Sequence, residues 1–351
     1  MLSWIAAALM TASPAPSSDP PLLIAHRGAS AERPEHTLEA YRRAIELGVD
    51  YIEPDLVATS DGHLIARHEA ELSGTTDVGD HPEYADRMAT RSIDGRRVTG
   101  WFAEDFTLAE IRTLRAKERL PLVRPANTRH DGRYRIPTFA EIVALARRES
   151  EATGRTIGVY PELKHPTYLA GRGFDVTAMM AAELQRLGLD GADAPLFVQC
   201  FEMLPLQRLS ERVETPLILL FAAEGGPADA PGVTYAELAA PERLRAIARF
   251  ATGIGVSIRL LVDDALVPTT LVADAHEAGL QVHAWTLRAE NAFLPEPLRS
   301  NEKSGDIGNY APLWRALIDT GADGFFVDNL REWNALQRPA SASPSAPSPA
   351  E

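Results

Sequence analysis

Short apolar runs alternate with helical patterns along most of the chain. The runs Leu22 to Ala25, Tyr51 to Val57, Ile157 to Leu163, Leu196 to Cys200, Leu217 to Phe221, Gly253 to Ser257, Leu280 to Trp285 and Gly324 to Asp328 have lengths that suit strands rather than helices. Between them, Leu38 to Leu47, Ala178 to Leu187, Ala236 to Phe250, Thr269 to Ala278 and Leu313 to Thr320 carry apolar residues at helical spacing. Thr107-Leu108-Ala109-Glu110 and Thr138-Phe139-Ala140-Glu141 fit capping boxes, in which a Thr hydroxyl and a Glu carboxylate satisfy free backbone N–H groups at a helix start. Alternation of strand and helix predicts a parallel sheet, and eight units in about 300 residues predict an α/β fold of the (β/α)8 TIM barrel type. A doubly wound open sheet is the competitor, but no GxGxxG opens a helix after the first strand.

The second run leads into IEPDLVATSDGHLIARHE, Ile52 to Glu69. Side chains alternate across a strand, so Glu53 and Asp55 point to one face. Asp61-Gly62 signals a two-residue turn, which makes Leu64 to His68 an antiparallel extension. Counting outward from that turn pairs Ser60 with His63, Val57 with Ala66 and Asp55 with His68. From Ala70 to Arg135 the rhythm breaks, and this polar stretch is expected to form a loop-rich insertion above the barrel mouth, as lids and binding loops do.

Catalytic groups on such barrels sit at the C-terminal ends of strands. The first strand runs into His26-Arg27-Gly28, the second carries Glu53 and Asp55, and the hairpin returns His68. Glu162 and Lys164 share a face of the third, and later strands offer Gln199, His283, Trp285 and Asp328. Glu53, Asp55 and Glu162 make an oxygen-only ligand set suited to one divalent cation, Ca²⁺ as the favoured expectation with Mg²⁺ left open. Arg27 and Lys164 at the same mouth suit an anionic group such as a phosphate. His26 and His68 could divide general acid and base roles, because an unperturbed imidazole titrates near neutrality. Cation, basic clamps and an imidazole pair together describe phosphodiester hydrolysis. Glu35 could contact substrate hydroxyls or help open the helix that follows it. His283 reads as a core histidine, Trp285 as either packing or a cover for substrate, and Cys200 as a small buried hydrophobe.

Composition narrows the rest. The 351 residues carry a formal net charge of −14, which argues against a nucleic-acid binder or a protein held on anionic membrane by a basic patch. A single cysteine excludes a disulfide framework. The apolar run Leu2 to Met10 and the small, Pro-rich residues after it read as a signal peptide over residues 1–18, although without a basic start, so export to the periplasm or beyond is expected. The run is too short to span a membrane. Residues 21–336 are expected to form the barrel domain, and residues 338–351 a disordered Pro/Ser/Ala tail.

The runs IAHRGAS, PEHTLEAYRRAIELGVDYIEPDL and SDGHLIARHEAELSGTTDV, with YPELK, VQCF, VHAWTL and GADGFFVDN later, closely resemble the glycerophosphodiester phosphodiesterases, from Leu23 to about Leu330. The resemblance implies a TIM barrel that hydrolyses deacylated phospholipids to sn-glycerol 3-phosphate and an alcohol. It implies metal binding by Glu53, Asp55 and Glu162, acid–base roles for His26 and His68, phosphate binding by Arg27 and Lys164, and a place for Trp285 beside the glycerol. The small-molecule diester is the expected partner; a lysophospholipid on the same barrel is the alternative. Two departures stand out. Pro54 removes a ladder N–H between two ligands, and His36 stands where the family's PEN-T run commonly has asparagine.

Overall fold

The computed structural model describes residues 20–337; the expected signal and the C-terminal tail lie outside the described residues. The first strand, β1 (Leu22–His26), pairs in parallel with β2 (Tyr51–Glu53), which continues past Pro54 as β3 (Asp55–Ala58). After β3 the chain turns back as β4 (Leu64–Ala66), antiparallel to it. The insertion that follows holds a hairpin of its own, β5 (Ala89–Ile93) and β6 (Arg96–Gly100). The third barrel strand is likewise split, into β7 (Gly158–Val159) and β8 (Glu162–Leu163), around Pro161. Ile52 opposite Val159 and Asp55 opposite Glu162 hold one register across both prolines. Each proline carbonyl still accepts a ladder bond, from Glu162 N and Gln199 N at 2.9 Å, so each break costs the ladder a donor and no acceptor.

The remaining strands follow in order: β9 (Val198–Cys200), β10 (Leu217–Phe221), β11 (Gly253–Ser257), β12 (Gln281–Leu287) and β13 (Gly324–Val327). The last pairs with β1, with Phe326 opposite Ile24, and closes the expected parallel barrel. Ile24, Tyr160, Phe197, Ile218 and Phe326 fill its interior, with the Tyr160 ring 4.9 Å from Phe197 and 5.0 Å from Phe326. A larger apolar layer joins the strands to the outer helices. The insertion has its own core, where Phe102, Phe106, Ile111 and Leu114 pack with Val57 and Ile65 of the first hairpin. Among the described residues no helix is long and apolar enough to cross a membrane.

Both capping boxes form, at Thr107/Glu110 and Thr138/Glu141. Two local expectations fail for identifiable reasons. The single helix over Ala236 to Phe250 is two, Tyr235–Leu238 and Pro241–Ile247, because Pro241 cannot donate within a helix but suits its first turn. The first hairpin is also one residue out of the expected register, with Leu56 opposite Ala66 and Ala58 opposite Leu64. Its loop has three residues: Thr59 N bonds His63 O at 2.9 Å, and Gly62 takes a left-handed φ of 83°. Arg67, not His68, therefore faces Asp55, and its N–H donates to Asp55 O at 2.9 Å. Since a one-residue slip reverses the face of every side chain, strand pairing does not deliver His68; it arrives from the bend after β4.

His283 is fully buried, with Nδ1 2.7 Å from the Tyr160 hydroxyl, and burial lowers its pKa from 6.5 to about 4. Between those two values the unfolded chain binds a proton that the native chain does not, so stability is lost as pH falls through that window. His283→Asn, which keeps a polar partner for Tyr160, is expected to show a shallower fall in Tm between pH 7 and pH 4 than the unmodified chain. Equal slopes in thermal melts would contradict a neutral buried imidazole.

Candidate active site

At the end of β1 the backbone turns sharply, with Arg27 at φ 61° and Gly28 at φ 85°. A Cβ on Gly28 would lie 2.8 Å from the Ala40 backbone carbon, so only glycine lets this turn sit on the helix Leu38–Glu46. The turn presents His26 and Arg27 to the mouth, where Glu53, Asp55 and Glu162 meet. These three carboxylates are buried and offer ligand atoms all within 4.8 Å of one another.

Each carboxylate is tied in place. Arg27 N donates to Glu53 Oε2 at 2.8 Å, and Gln199 Nε2 to Glu53 Oε1 at 3.2 Å. Asp55 Oδ2 is 2.9 Å from His36 Nε2, and 3.3 Å from Arg27 Nε without hydrogen-bond alignment. Lys164 Nζ lies 2.8 Å from Glu162 Oε1 and 3.9 Å from Asp55 Oδ1. Burial and the charge of Asp55 push the Glu53 carboxyl well above the usual range. Glu162 is raised to about 8, by burial first and against the pull of Lys164. Asp55, against the cost of its own burial, is held well below the usual range by the charges of Lys164 and Arg27 and by its hydrogen bond with His36. Fully ionised, the three carboxylates would outnumber the two facing cations, and the raised Glu53 and Glu162 carboxyls reflect that excess; the donors are all oxygen, the set that a hard divalent cation takes. Glu53, Asp55 and Glu162 could thus bind a metal.

Two imidazoles flank this triad, each backed by a carboxylate. His26 Nδ1 donates to Asp328 Oδ1 at 2.6 Å, and His68 Nδ1 to Glu69 Oε1 at 2.5 Å; an ionised carboxylate can only accept, which assigns the Nδ1–H tautomer to both rings. Burial and Arg27 lower the His26 pKa to about 4. Enclosure in the pocket, with Arg27 and Lys164 nearby, lowers that of His68 to about 3. Both rings are neutral at pH 7.

His26, Arg27, Glu53, His68, Glu162 and Trp285 line one cavity of about 300 Å³. Trp285 stands edge-on to Phe201, with 5.6 Å between ring centroids, and its buried Nε1 has no hydrogen-bond partner among the described residues. Lys164 lines an adjoining cavity of about 500 Å³ that shares Glu162 and Phe201. Glu35 is buried between two guanidinium groups: Arg27 Nη1 lies 3.2 Å from it, and Arg119 grips it at 2.8 and 2.7 Å. Cys200 is buried and unbridged. The sequence does not pair these groups with His36, Glu69 or Arg119, or Asp328 with Arg124 and Arg288, which both donate to its Oδ2. His36 alone carried a local signal, its place in the PEHT run.

A family model described as the glycerophosphoryl diester phosphodiesterase family matches residues 26–332. Glycerophosphodiester phosphodiesterase GDPD6 of Arabidopsis thaliana is 35% identical over 91% of this chain and 87% of its own length. A glycerophosphodiester phosphodiesterase of Haemophilus influenzae is 29% identical over 88% of this chain and 87% of its own. Among solved structures, a phosphodiesterase of Oleispira antarctica in complex with the product sn-glycerol-3-phosphate shares the fold at a TM-score of 0.58 and 20% identity, covering 90% of this chain and 96% of that one. On the family match across the barrel and the similarity to relatives along nearly their whole length, the chain belongs to the glycerophosphodiester phosphodiesterase family.

Proposed function

We propose that the barrel mouth hydrolyses glycerophosphodiesters to sn-glycerol 3-phosphate and an alcohol. The observation that carries this reading is the convergence, at the barrel mouth, of a buried carboxylate triad, two basic side chains and two carboxylate-backed imidazoles, with Lys164 reaching the triad from the adjoining cavity. The names of the relatives and the product held by the Oleispira antarctica neighbour support it. Where the insertion reaches the mouth it presents Arg119 to Glu35 and Glu69, a charged rim that favours a soluble diester over a lysophospholipid.

In this reading Glu53, Asp55 and Glu162 hold one divalent cation, Ca²⁺ ahead of Mg²⁺. When bound, that cation would supply Lewis acidity, neutralising phosphate charge and lowering the pKa of the nucleophile, water or the glycerol 2-hydroxyl. Arg27 and Lys164 hold the phosphate oxygens. His26 and His68 share the proton work at Nε2, the nitrogen that makes no hydrogen bond among the described residues. Both start neutral, so either can accept a proton from the nucleophile; the arriving phosphate anion favours protonation of the ring beside it, which readies that ring to protonate the leaving alcohol. Glu35 orients Arg27, and Trp285 walls the glycerol side. We also propose export, from the apolar run Leu2 to Met10.

Steady-state kinetics on glycerophosphocholine test these roles. His26→Ala and His68→Ala are each expected to lower kcat on the order of 10² to 10⁴-fold; near-normal turnover in either would remove that imidazole from the mechanism. Arg27→Met and Lys164→Met should raise KM by roughly 10-fold or more, the scale of a lost hydrogen bond to a charged group. An unchanged KM in both would place the phosphate elsewhere.

A further inference from the structure

The insertion does more than roof the barrel. Its residues 119–124 form a tight turn, in which Val123 N and Arg124 N both donate to Leu120 O at 2.9 and 2.7 Å. An arginine stands at each end of that turn, and each reaches the carboxylate behind a different imidazole. Arg119 grips Glu69, with Nη1 to Oε1 at 2.8 Å and Nη2 to Oε2 at 2.6 Å. Arg124 donates from Nη2 to Asp328 Oδ2 at 2.7 Å. Asp328 and Glu69 are the two acceptors that fix the Nδ1–H of His26 and His68.

We infer that Arg119 and Arg124 are positioning residues for the two imidazoles, so that one turn of the insertion sets the geometry of both. The inference rests on the assignment of His26 and His68 to the proton transfers. A carboxylate held on one side only by an imidazole is free to rotate about its own side chain; the Arg119 fork fixes the plane of Glu69, and with it the His68 ring, while on Asp328 a single bond from Arg124 Nη2 to Oδ2 holds the oxygen opposite the His26 contact. Glu69 needs this most, since its side chain is 39% exposed and sits next to His68 in sequence. Asp328 is buried and also receives Arg288 Nε at 2.8 Å. Arg124 has further anchors in Glu290, at 2.7 Å, and the Ser30 carbonyl, at 3.2 Å. Arg119 binds Glu35 as well, which adds a path to the phosphate clamp through Arg27.

Double-mutant cycles in kcat separate positioning from a merely structural role, because groups that act as a unit are strongly non-additive. Arg119→Met and Arg124→Met are each expected to lower kcat roughly 10-fold or more, with KM rising as well for Arg119→Met. In the His68→Ala background Arg119→Met should cost little further kcat, while Arg124→Met keeps most of its effect; in the His26→Ala background the two exchange places. Arg119→Lys and Arg124→Lys, which keep the charge but not the fork, should recover part of the loss, and they carry the same cycles if a methionine variant does not fold. Full kcat in the arginine variants, or equal cost in both histidine backgrounds, would overturn the inference. Active His26→Ala and His68→Ala enzymes would instead overturn the catalytic assignment on which it rests.

Discussion

Three carboxylates buried within 4.8 Å of one another are the constraint around which the barrel mouth is built. At an effective dielectric of about 20, each such pair of full charges repels by roughly 3 to 4 kcal/mol. Arg27 and Lys164 offset only part of this, and the raised carboxyls of Glu53 and Glu162 express the remainder. A divalent cation bound by the triad would resolve it, and the site would then present positive charge to an anion. The arrangement is unfavourable for a chain folded around nothing and well suited to one that binds a metal and an anion together.

Holding those charges in register takes structure well beyond the strand ends. Asp55 depends on His36, whose Nδ1 lies 2.9 Å from the Tyr41 hydroxyl and whose carbonyl accepts from Arg67 Nη2 at 3.1 Å. Arg67 is itself buried with three carbonyl acceptors, those of Ala66, Thr75 and His36, and burial lowers its pKa to about 10. This one guanidinium ties the end of β4, the start of the insertion and the loop after β1 to each other. Hairpin, insertion and first barrel turn thus share a buried hydrogen-bond network, which explains how an insertion this far from the barrel core can be ordered against the site.

The barrel is legible because buried strands and amphipathic helices leave local periodic signals, and the carboxylate triad because its members lie on successive barrel strands at the mouth. Glu53 and Asp55 follow from alternation alone. The hairpin register was misread because Asp61-Gly62 satisfies a two-residue turn in composition, whereas the chain uses Gly62 as the left-handed residue of a three-residue loop. His68 nevertheless lines the cavity, because the bend after β4 carries it there. Arg124 and Asp328 lie 204 residues apart in sequence, and Arg119 and Glu35 84 apart; nothing in spacing or periodicity pairs groups across such distances. The apolar pattern runs unbroken through Pro241, so periodicity alone joins the two helices that this proline separates.

We propose that the triad holds one divalent cation and that hydrolysis depends on it. Calorimetric titration of Ca²⁺ into metal-stripped protein, with glycerophosphocholine turnover followed on the same sample, measures both. One Ca²⁺ per chain is predicted, with turnover restored in proportion to occupancy and both signals lost in Asp55→Asn. Full turnover by the stripped protein, or unchanged Ca²⁺ binding in Asp55→Asn, would contradict the account.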